Sequence, residues 1–257
     1  MKVVILAGGL GTRLSEETET RPKPMVELGG WPILWHILKI YSSQGFREFY
    51  VALGYKGEVI KKFFLDLPRL SGSITVDMRT GTVHPHASAG EDWVVHLMDT
   101  GPDTMTGGRV RRLAPHLRDG SFMVTYGDGV ADVDLRALVE THRQADCMAT
   151  VTAVRPPARF GGLVLEGNRV ERFTEKSQTG EGWINGGFLV FEPEILDMLH
   201  ADQDSLEVSL LERLAAMNQL AVHRHEGFWQ CMDTLRDKRQ LEAIWAAGRA
   251  PWKLWES

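Results

Sequence analysis

A short apolar run that breaks directly into glycines stands at the start of the chain and constrains the fold more than any other feature. Residues 3–7 are apolar, and Gly8-Gly9-Leu10-Gly11-Thr12-Arg13-Leu14 follows them. An apolar run this short, bounded by turn residues, predicts a central strand of an α/β sheet. Glycines let a phosphate group approach the main-chain N–H groups, because no Cβ stands in the way. With Arg13 and Lys23 as nearby cations, the stretch predicts a site for a polyphosphate.

This loop matches neither of two familiar phosphate-binding motifs. A dinucleotide fingerprint, G-x-G-x-x-G, would need glycine where the chain has Leu14. A P-loop needs a glycine, a lysine and a hydroxyl residue in succession, and no such run follows here. The plainer alternative is an ordinary turn between a strand and a helix, with two cations at the surface.

Length and composition limit the class of protein. The chain has 257 residues, 43% of them hydrophobic, which is enough for one large domain or two small ones. A formal net charge of −5 and the lack of a long basic run argue against broad nucleic-acid binding. The two cysteines lack metal-ligand spacing, and there is no signal-peptide pattern and no run of about 18 apolar residues. These features predict a cytoplasmic protein without a membrane span.

Short apolar strands alternate with amphipathic helices along the chain. Strands are predicted at residues 49–53, 93–99 and 122–126, and the first long helix is predicted to begin after Pro32. Strand-helix-strand order with short glycine turns is typical of a mostly parallel sheet.

Three other segments have plainer predictions. The polar residues 79–92 are predicted to form a weakly structured loop or a subunit contact. A helix is predicted over residues 206–217. Trp245, Trp252 and Trp255 at the end of the chain are interpreted as packing or interface residues rather than ligand contacts.

Two aspartates follow largely apolar segments, and the first of them is a candidate metal ligand. Asp128 stands between glycines directly after the strand at residues 122–126, where open α/β sheets bind ligands. Asp233 follows the largely apolar segment 228–232. Mg²⁺ takes one or two carboxylates and leaves its other positions to phosphates and water. The alternatives are that Asp128 stabilises a turn and that Asp233 or Thr234 caps the next helix.

Two further segments carry polar groups suited to substrate binding. Hydroxyls and glycines around Thr104 precede Arg109 at a predicted helix start, which favours anions. The alternative there is a helix cap with a surface arginine. Asn185 and Gly186 could hydrogen-bond a sugar hydroxyl at close range, although Asn-Gly is first of all a turn signal.

Taken in order, these motifs resemble those of the sugar-1-phosphate nucleotidyltransferases over nearly the whole chain. The segment Leu6-Ala7-Gly8-Gly9-Leu10-Gly11-Thr12-Arg13-Leu14 marks the wide superfamily. Several long motifs in the right order are a specific signal, which a single glycine loop is not. The motifs similar to those of the cytidylyl branch are residues 15–18 with 22–26, 105–109, 125–132 and 232–238.

The resemblance implies an α/β protein with a three-layer α/β/α, Rossmann-like fold and a mixed, mostly parallel central sheet. It implies one domain over residues 1–257, with nucleotide binding at about 1–130 and sugar-phosphate binding and oligomerisation at about 131–257. The implied reaction converts CTP and α-D-glucose 1-phosphate to CDP-glucose and pyrophosphate, with Mg²⁺ as cofactor. The implied assembly is a cytoplasmic homo-oligomer, typically a hexamer, whose product feeds 3,6-dideoxyhexose synthesis for bacterial surface polysaccharide (the O-antigen of lipopolysaccharide).

The resemblance also implies a role for each motif residue. Arg13 and Lys23 would be the catalytic cations, and Asp128 and Asp233 would bind Mg²⁺. Sugar-phosphate contacts are implied for Glu175, Lys176, Asn185 and Gly186. Nucleotide contacts are implied for Leu6, Ala7, Gly8, Gly9, Gly11, Thr12, Arg13, Lys23, Thr104, Arg109, Gly127 and Asp128.

The chain departs from the family pattern at two places on the sugar side. The family usually has proline after Glu175-Lys176, where this chain has Ser177, and its acid-proline-leucine segment reads Ser209-Leu210-Leu211 here. Two alternatives therefore stay open. One is the same chemistry with UTP, dTTP or another hexose 1-phosphate, and the other is a nucleotide-binding regulatory subunit without catalysis.

Overall fold

The predicted alternation of strands and helices runs through the computed structural model, which describes residues 1–70, 72–86, 90–156, 162–166, 169–174 and 182–256. None of the described helices combines the length and the apolar character needed to cross a membrane. The strands are β1 (Val3–Ala7), β2 (Glu27–Leu28), β3 (Trp31–Pro32), β4 (Glu48–Leu53), β5 (Ile74–Asp77), β6 (Thr82–Pro85), β7 (Val94–Asp99), β8 (Phe122–Tyr126), β9 (Gly129–Ala131), β10 (Ala149–Val154), β11 (Gly162–Glu166), β12 (Arg169–Thr174), β13 (Ile184–Phe191), β14 (Leu220–His225) and β15 (Trp229–Cys231). The α-helices are α1 (Ser15–Thr18), α2 (Ile33–Ser43), α3 (Gly57–Leu70), α4 (Thr106–Arg112), α5 (Leu135–Ala145), α6 (Glu212–Ala216) and α7 (Leu235–Ala246). Short 3₁₀ segments are Thr12–Leu14, Lys23–Met25, Ala114–His116 and Pro193–Met198.

Within the described residues, seven strands form the central sheet in the order β14-β10-β13-β8-β1-β4-β7. β8, β1, β4 and β7 run parallel to one another, and β10 runs parallel to β14. β13 is antiparallel to both of its neighbours, β8 and β10. The parallel pairs are joined by helical crossovers, since a tight turn can join only antiparallel strands. The sheet is therefore mixed and mostly parallel, as predicted.

Successive residues of the central strands pack into two separate cores on opposite faces of the sheet. In β1, Val3, Ile5 and Ala7 belong to one core, whereas Val4 and Leu6 belong to the other. Residues of α2, α3, α5 and α7 complete the first core, and residues of α4 and α6 complete the second. Because helices cover both faces, all of β1 is buried. This is the predicted three-layer α/β/α arrangement.

Two segments differ from their predictions. Residues 79–92, predicted to be weakly structured, contain β6, which pairs with β5 in an antiparallel hairpin. The helix predicted over residues 206–217 begins instead as a wide π-helical turn, Leu206–Leu211, and becomes α-helical only in α6. The apolar spacing fits both windings, so it does not separate them. A hydrogen bond from the Ser205 N–H to Ser209 Oγ, 3.1 Å long, helps to hold the wide turn.

The carboxyl-terminal segment packs onto α2 through a cluster of aromatic rings. Trp252 is fully buried and stacks on Phe228, with ring centroids 5.4 Å apart. Trp245, Trp252 and Trp255 all make ring contacts with His36 of α2. These tryptophans are therefore packing residues within the chain, in line with one of the two predicted roles.

His36 makes the stability of the fold depend on pH. Its buried ring donates from Nε2 to the Leu28 carbonyl at 2.8 Å and accepts at Nδ1 from the Trp252 indole N–H at 3.4 Å. Burial lowers the pKa of His36 from 6.5 to about 4, against a smaller opposite effect of the Leu28 hydrogen bond. Between these values the unfolded histidine binds a proton that the folded one does not, so stability falls as the pH drops. We expect a loss of about 3 kcal/mol between pH 6.5 and pH 4, measured by chemical denaturation in a pH series.

Two glutamine variants separate this ring from the other histidines. His36→Gln keeps a donor and an acceptor but cannot take up a proton. The free energy of unfolding of this variant is therefore expected to fall less between pH 6.5 and pH 4. His84→Gln, on the exposed hairpin, is the matched control and should leave the slope as it is. An unchanged slope in His36→Gln would contradict the assignment.

Candidate active site

A cleft of about 390 Å³ opens at the carboxyl ends of β1 and β8, the edge at which open α/β sheets bind ligands. Every residue for which the resemblance implies a nucleotide contact lines this cleft. Five more residues line it that no motif had singled out for nucleotide binding, namely Pro24, Met105, Thr106, Tyr126 and Glu207. The cleft therefore joins segments from widely separated parts of the chain.

The glycine loop leaves β1 and is held in shape by one hydroxyl group. Gly11 has a φ of 65°, in the left-handed region that favours glycine, and its carbonyl accepts from Thr18 Oγ1 at 3.1 Å. The Thr18 carbonyl in turn accepts from the Tyr55 hydroxyl at 3.2 Å. Thr12 and Arg13 follow at the mouth of the cleft, where the Arg13 side chain is 74% exposed.

A small antiparallel ribbon brings the two candidate aspartates together. β9 pairs with β15 so that Gly129 stands opposite Cys231. The Met232 N–H donates to the Asp128 carbonyl at 2.8 Å, which extends the pairing by one step. Asp128 and Asp233 flank this ribbon on its two strands. Their carboxylates therefore reach the same point although they lie far apart in the sequence.

Both carboxylates meet at the ammonium group of Lys23. Its Nζ lies 2.6 Å from Asp128 Oδ2 and 2.5 Å from Asp233 Oδ1. Arg13 adds a contact of 2.7 Å to the second oxygen of Asp233. Lys23 is buried, and the prolines on either side of it restrict its backbone, as the sequence indicated.

The ion pairs shift the pKa values of Lys23 and Asp233 so that both groups stay charged. Burial by itself lowers the pKa of Lys23, but the carboxylates of Asp128 and Asp233 outweigh it and raise that pKa above its usual value. Burial raises the pKa of Asp233, but the Lys23 ammonium, helped by Arg13, outweighs it and lowers that pKa. Lys23 and Asp233 are therefore both charged at neutral pH.

This pair of carboxylates fits a hard divalent cation. Two carboxylates that converge on one point form the protein ligand set that Mg²⁺ uses when phosphates and water complete its coordination. The Lys23 ammonium shows that this point accepts positive charge. In the part of the chain that the structure describes, no cluster of three or more His, Cys, Asp or Glu side chains could hold a metal alone. The arrangement therefore fits a cation shared with the phosphates of a ligand.

The capping role considered for Asp233 belongs to its neighbours. Thr234 is the N-cap of α7, and its Oγ1 accepts from the Asp237 N–H at 3.2 Å. Asp237 Oδ2 accepts in return from the Thr234 N–H at 2.9 Å, which completes a capping box. The same oxygen accepts from the Asp233 N–H at 3.1 Å. The Asp233 carboxylate is thus left to Lys23, Arg13 and the Cys231 thiol, whose Sγ lies 3.8 Å from Asp233 Oδ2.

Arg109 lies buried beneath the glycine loop. It is 3% exposed, and its guanidinium donates to the Gly8 carbonyl at 3.0 Å, the Leu53 carbonyl at 2.9 Å and the Thr100 hydroxyl at 2.7 Å. Burial, and to a lesser extent the charge of Arg112, lowers the pKa of Arg109. The alternative of a surface arginine at a helix cap is therefore wrong. The side chain ties the ends of β1, β4 and β7 together at one side of the cleft.

Gly8 is a position in the loop where a methyl group has no room. A Cβ there would lie 2.2 Å from the Arg109 guanidinium carbon, whereas a Cβ at Gly9 would meet nothing within 4 Å. We expect Gly8→Ala to push Arg109 away from its carbonyl partners and to lower the free energy of unfolding by about 2–3 kcal/mol. Gly9→Ala, the matched control, should change it by less than about 0.5 kcal/mol. Equal stability of the two variants in chemical denaturation would contradict this tight fit.

The residues implied for sugar-phosphate contacts are only partly described. Glu175 and Lys176 lie outside the described residues, as does the departure at Ser177. Asn185 is exposed at the start of β13, and its Nδ2 donates to the Tyr126 hydroxyl at 3.3 Å. Asn185 therefore reaches the cleft through Tyr126 without lining it.

Gly186 faces the interior of the fold. It is buried, and its carbonyl accepts from the Trp229 indole N–H at 2.8 Å. A Cβ at this position would lie 2.5 Å from the Val154 side chain, so glycine lets β13 pass close to β10. In the described structure, Gly186 shapes the approach to the cleft and is not part of its lining.

The departure at residues 209–211 lies in the core. Leu210 and Leu211 are buried in the second core, and Ser209 Oγ accepts from the Ser205 N–H. Among the described residues that line the cleft, none comes from this triplet. In this chain the triplet therefore supports the π-helical turn and supplies none of the described cleft lining.

Tyr126 and Glu207 are cleft residues that sequence reasoning missed. The position of Tyr126, directly before Gly127-Asp128 at the end of a buried strand, is a signal that could have found it. No local pattern marks Glu207, because its approach to the cleft depends on how the π-helical turn packs against α4.

Known proteins resemble this chain in sequence and in fold. The family model described as nucleotidyl transferase matches residues 2–249. The chain is 48% identical over 257 residues to "Glucose-1-phosphate cytidylyltransferase" of Salmonella typhi, covering 100% of both chains. It is 42% identical over 256 residues to "Probable glucose-1-phosphate cytidylyltransferase" of Bacillus subtilis, covering 99% of this chain and 100% of that one. The crystal structure of HddC from Yersinia pseudotuberculosis shares the fold, with a TM-score of 0.69 at 23% identity over 95% of this chain and 99% of that chain. Together with the strand order and the cleft, these matches establish that the chain belongs to the nucleotidyl transferase family.

Proposed function

We propose that this chain transfers the cytidylyl group of CTP to α-D-glucose 1-phosphate, which gives CDP-glucose and pyrophosphate. The observation that carries the proposal is the convergence of Asp128, Asp233 and Lys23 beside a glycine loop in one cleft. The names of the Salmonella typhi and Bacillus subtilis relatives support the choice of substrates.

In this reaction a phosphate oxygen of glucose 1-phosphate attacks the α-phosphorus of CTP. A new P–O bond forms while the bond from the α-phosphorus to the bridging oxygen breaks, and pyrophosphate leaves on the opposite side. Both reactants are anions, so the main tasks of the chain are to neutralise charge and to hold the reacting atoms in line. The reaction needs no covalent enzyme intermediate.

Each side chain of the cleft has a task suited to its position. The main-chain N–H groups of Gly8, Gly9 and Gly11 approach the nucleotide without a Cβ in the way. Thr12 and the exposed Arg13 hold the triphosphate. Lys23 places its ammonium on the reacting phosphates and stabilises the charge of the transition state.

We further propose Mg²⁺ as the cation held by Asp128 and Asp233. When bound, it would supply positive charge that offsets the charge of the leaving pyrophosphate. In the described structure both carboxylates are paired with Lys23. Asp128 and Asp233 would hold the metal, and the Lys23 ammonium between them lies where it would contact the phosphates of the ligand.

We propose further roles for the residues that hold the sugar phosphate and for the chain as a whole. Glu175, Lys176 and Asn185 contact the sugar phosphate, and Gly186 keeps β13 close to β10. Thr104 and Arg109 complete the nucleotide site. The chain forms a single domain in which residues of about 1–130 bind the nucleotide and residues of about 131–257 bind the sugar phosphate. A cytoplasmic homo-oligomer, hexameric by the resemblance, belongs to the same proposal.

A panel of substrates tests the proposed function. CTP, UTP, dTTP, ATP and GTP would each be paired with glucose, mannose and galactose 1-phosphates, and pyrophosphate release would be measured with Mg²⁺. We expect CTP with glucose 1-phosphate to give the highest kcat/KM. A higher value for dTTP or UTP would overturn the assignment of the base. Nucleotide binding without pyrophosphate release from any pair would support the regulatory alternative instead.

A further inference from the structure

Glu207 is a second carboxylate, besides Asp128, among the residues that line the cleft. It stands on the π-helical turn Leu206–Leu211 and lines the same cleft as the glycine loop. The Tyr126 hydroxyl donates to Glu207 Oε1, and the Thr106 hydroxyl donates to Oε2 at 3.0 Å. Two different elements, β8 and α4, thus orient one carboxylate.

The turn that carries Glu207 is held from several sides. Leu206 and Leu210 are fully buried in the second core. Ser205 caps the turn, since its Oγ accepts from the Val208 N–H at 3.0 Å, and the Leu206 N–H donates to Thr106 Oγ1 at 2.8 Å. Short π-helical turns are rare and occur frequently at functional sites. The wide turn here presents Glu207 to the cleft on a fixed support.

The partners of this carboxylate are neutral. Among the described residues, no Lys, Arg or His side chain lies within salt-bridge distance of Glu207. The Tyr126 and Thr106 hydroxyls both donate to it, so Glu207 is the acceptor in both contacts. Each carboxylate oxygen can accept more than one hydrogen bond, so acceptor capacity is left for a ligand.

A carboxylate at this position does not suit a phosphate. Like charges repel, and the cations of the cleft are engaged elsewhere. Arg13 and Lys23 belong to a separate network around Asp233, and Arg109 donates to the Gly8 and Leu53 carbonyls and the Thr100 hydroxyl. A carboxylate does suit a neutral donor. The proposed substrates offer two kinds, the 4-amino group of cytosine and the hydroxyl groups of ribose and glucose. Uracil and thymine carry an oxygen acceptor in place of that amino group, which a carboxylate would reject.

We propose that Glu207 is a specificity-determining residue of the reaction proposed above, and that its carboxylate, oriented by Tyr126 and Thr106, accepts a hydrogen bond from an amino or hydroxyl donor of the bound substrates. The proposal rests on the proposed function. A site built to pair with such a donor discriminates strongly against an analogue that lacks it, because the polar group of the protein is then left unpaired.

The decisive variant is Glu207→Gln, which keeps the shape and removes the charge. With CTP and glucose 1-phosphate, we expect its kcat/KM for pyrophosphate release to fall about 10- to 100-fold. The same comparison is then made with UTP in place of CTP, with 2′-deoxy-CTP and 3′-deoxy-CTP, and with each deoxyglucose 1-phosphate. The analogue with which the kcat/KM values of wild type and variant agree within about two-fold identifies the donor. Equality with UTP assigns the amino group, and equality with a deoxy analogue assigns that hydroxyl.

Controls separate this role from a structural one. Glu194 is an exposed carboxylate outside the cleft. The variant Glu194→Gln should have the same kcat/KM as the wild type with each substrate and analogue. Tyr126→Phe removes a positioning hydroxyl and should give a smaller loss that disappears with the same analogue. A Glu207→Gln loss that is absent, or equal for all analogues, would overturn the proposal.

If the wild type releases no pyrophosphate from CTP and glucose 1-phosphate, the proposed function fails. Calorimetric binding of CTP, UTP and the deoxy analogues to wild type and variant then decides the role of Glu207 separately.

Discussion

Lys23→Ala is expected to lower kcat for pyrophosphate release by about 10³-fold while changing KM much less. The ammonium group stabilises charge that develops as the bond to pyrophosphate breaks, so its removal acts mainly on the transition state. Lys23 is buried and pinned between two prolines, and no other lysine contacts Asp128 or Asp233 among the described residues. Steady-state assays with saturating CTP and glucose 1-phosphate measure the effect.

The same variant has a second expected property that does not depend on turnover. Without Lys23, the carboxylates of Asp128 and Asp233 face each other with only Arg13 to offset them, which costs about 3 kcal/mol of stability in the absence of metal. Added Mg²⁺ should replace the lost positive charge. The rise in Tm on adding Mg²⁺ should therefore be larger for Lys23→Ala than for the wild type.

Lys61→Ala is the matched control for both measurements. Lys61 is an exposed lysine on α3, outside the cleft. Its kcat and its metal-dependent Tm are expected to match the wild type. Normal turnover by Lys23→Ala would contradict the proposed role of Lys23 at the reacting phosphates. If Mg²⁺ raised the Tm of Lys23→Ala no more than that of the wild type, Mg²⁺ would not replace the charge of the Lys23 ammonium.

The second large effect is expected for Asp233→Asn, with kcat/KM lowered by about 10³-fold and the Mg²⁺ concentration for half-maximal activity raised. An amide is a much weaker ligand for a hard cation than a carboxylate is, and the substitution also removes the charge that pairs with Lys23 and Arg13. A metal titration of pyrophosphate release measures both changes.

Two other aspartates serve as controls for Asp233. Asp119→Asn breaks an exposed ion pair with Lys2 and should leave activity and metal dependence unchanged. Asp134→Ala removes the N-cap of α5 and should lower Tm while keeping the metal titration of the wild type. A metal titration for Asp233→Asn that matches the wild type would return Asp233 to a purely structural role.

Much of the fold was predictable because it depends on local patterns. Residues 3–7 are apolar at every position, which is what a strand buried on both faces requires, and β1 is such a strand. The alternation of strands and helices predicted a mostly parallel sheet, and the sheet has that form. The winding of residues 206–211 was not predictable, since it depends on hydroxyl contacts at Ser205 and Ser209 and on packing against α4.

The residues of the candidate site were likewise predictable only where their role depends on their neighbours in the sequence. Asp128, directly after a buried strand and between glycines, was recognisable as a ligand candidate from its neighbours in the sequence. For Asp233 the sequence left metal binding and helix capping open. The structure separates them because Thr234 and Asp237 form the cap. Arg109 could not be told from a surface arginine, since its burial depends on the carbonyls of three strand ends.

The class of fold, the glycine loop and the charged side chains can be read from the sequence, because each of these is a property of a short segment. Which of the charges meet depends on the folded chain. Asp233 reaches Asp128 through the pairing of β9 with β15, and Lys23 lies between them only once the sheet has formed. Glu207 reaches the same cleft only through a π-helical turn packed on α4. Hydrogen bonds and salt bridges need their groups within about 4 Å of each other, whereas the groups that make them here are separated by long stretches of chain.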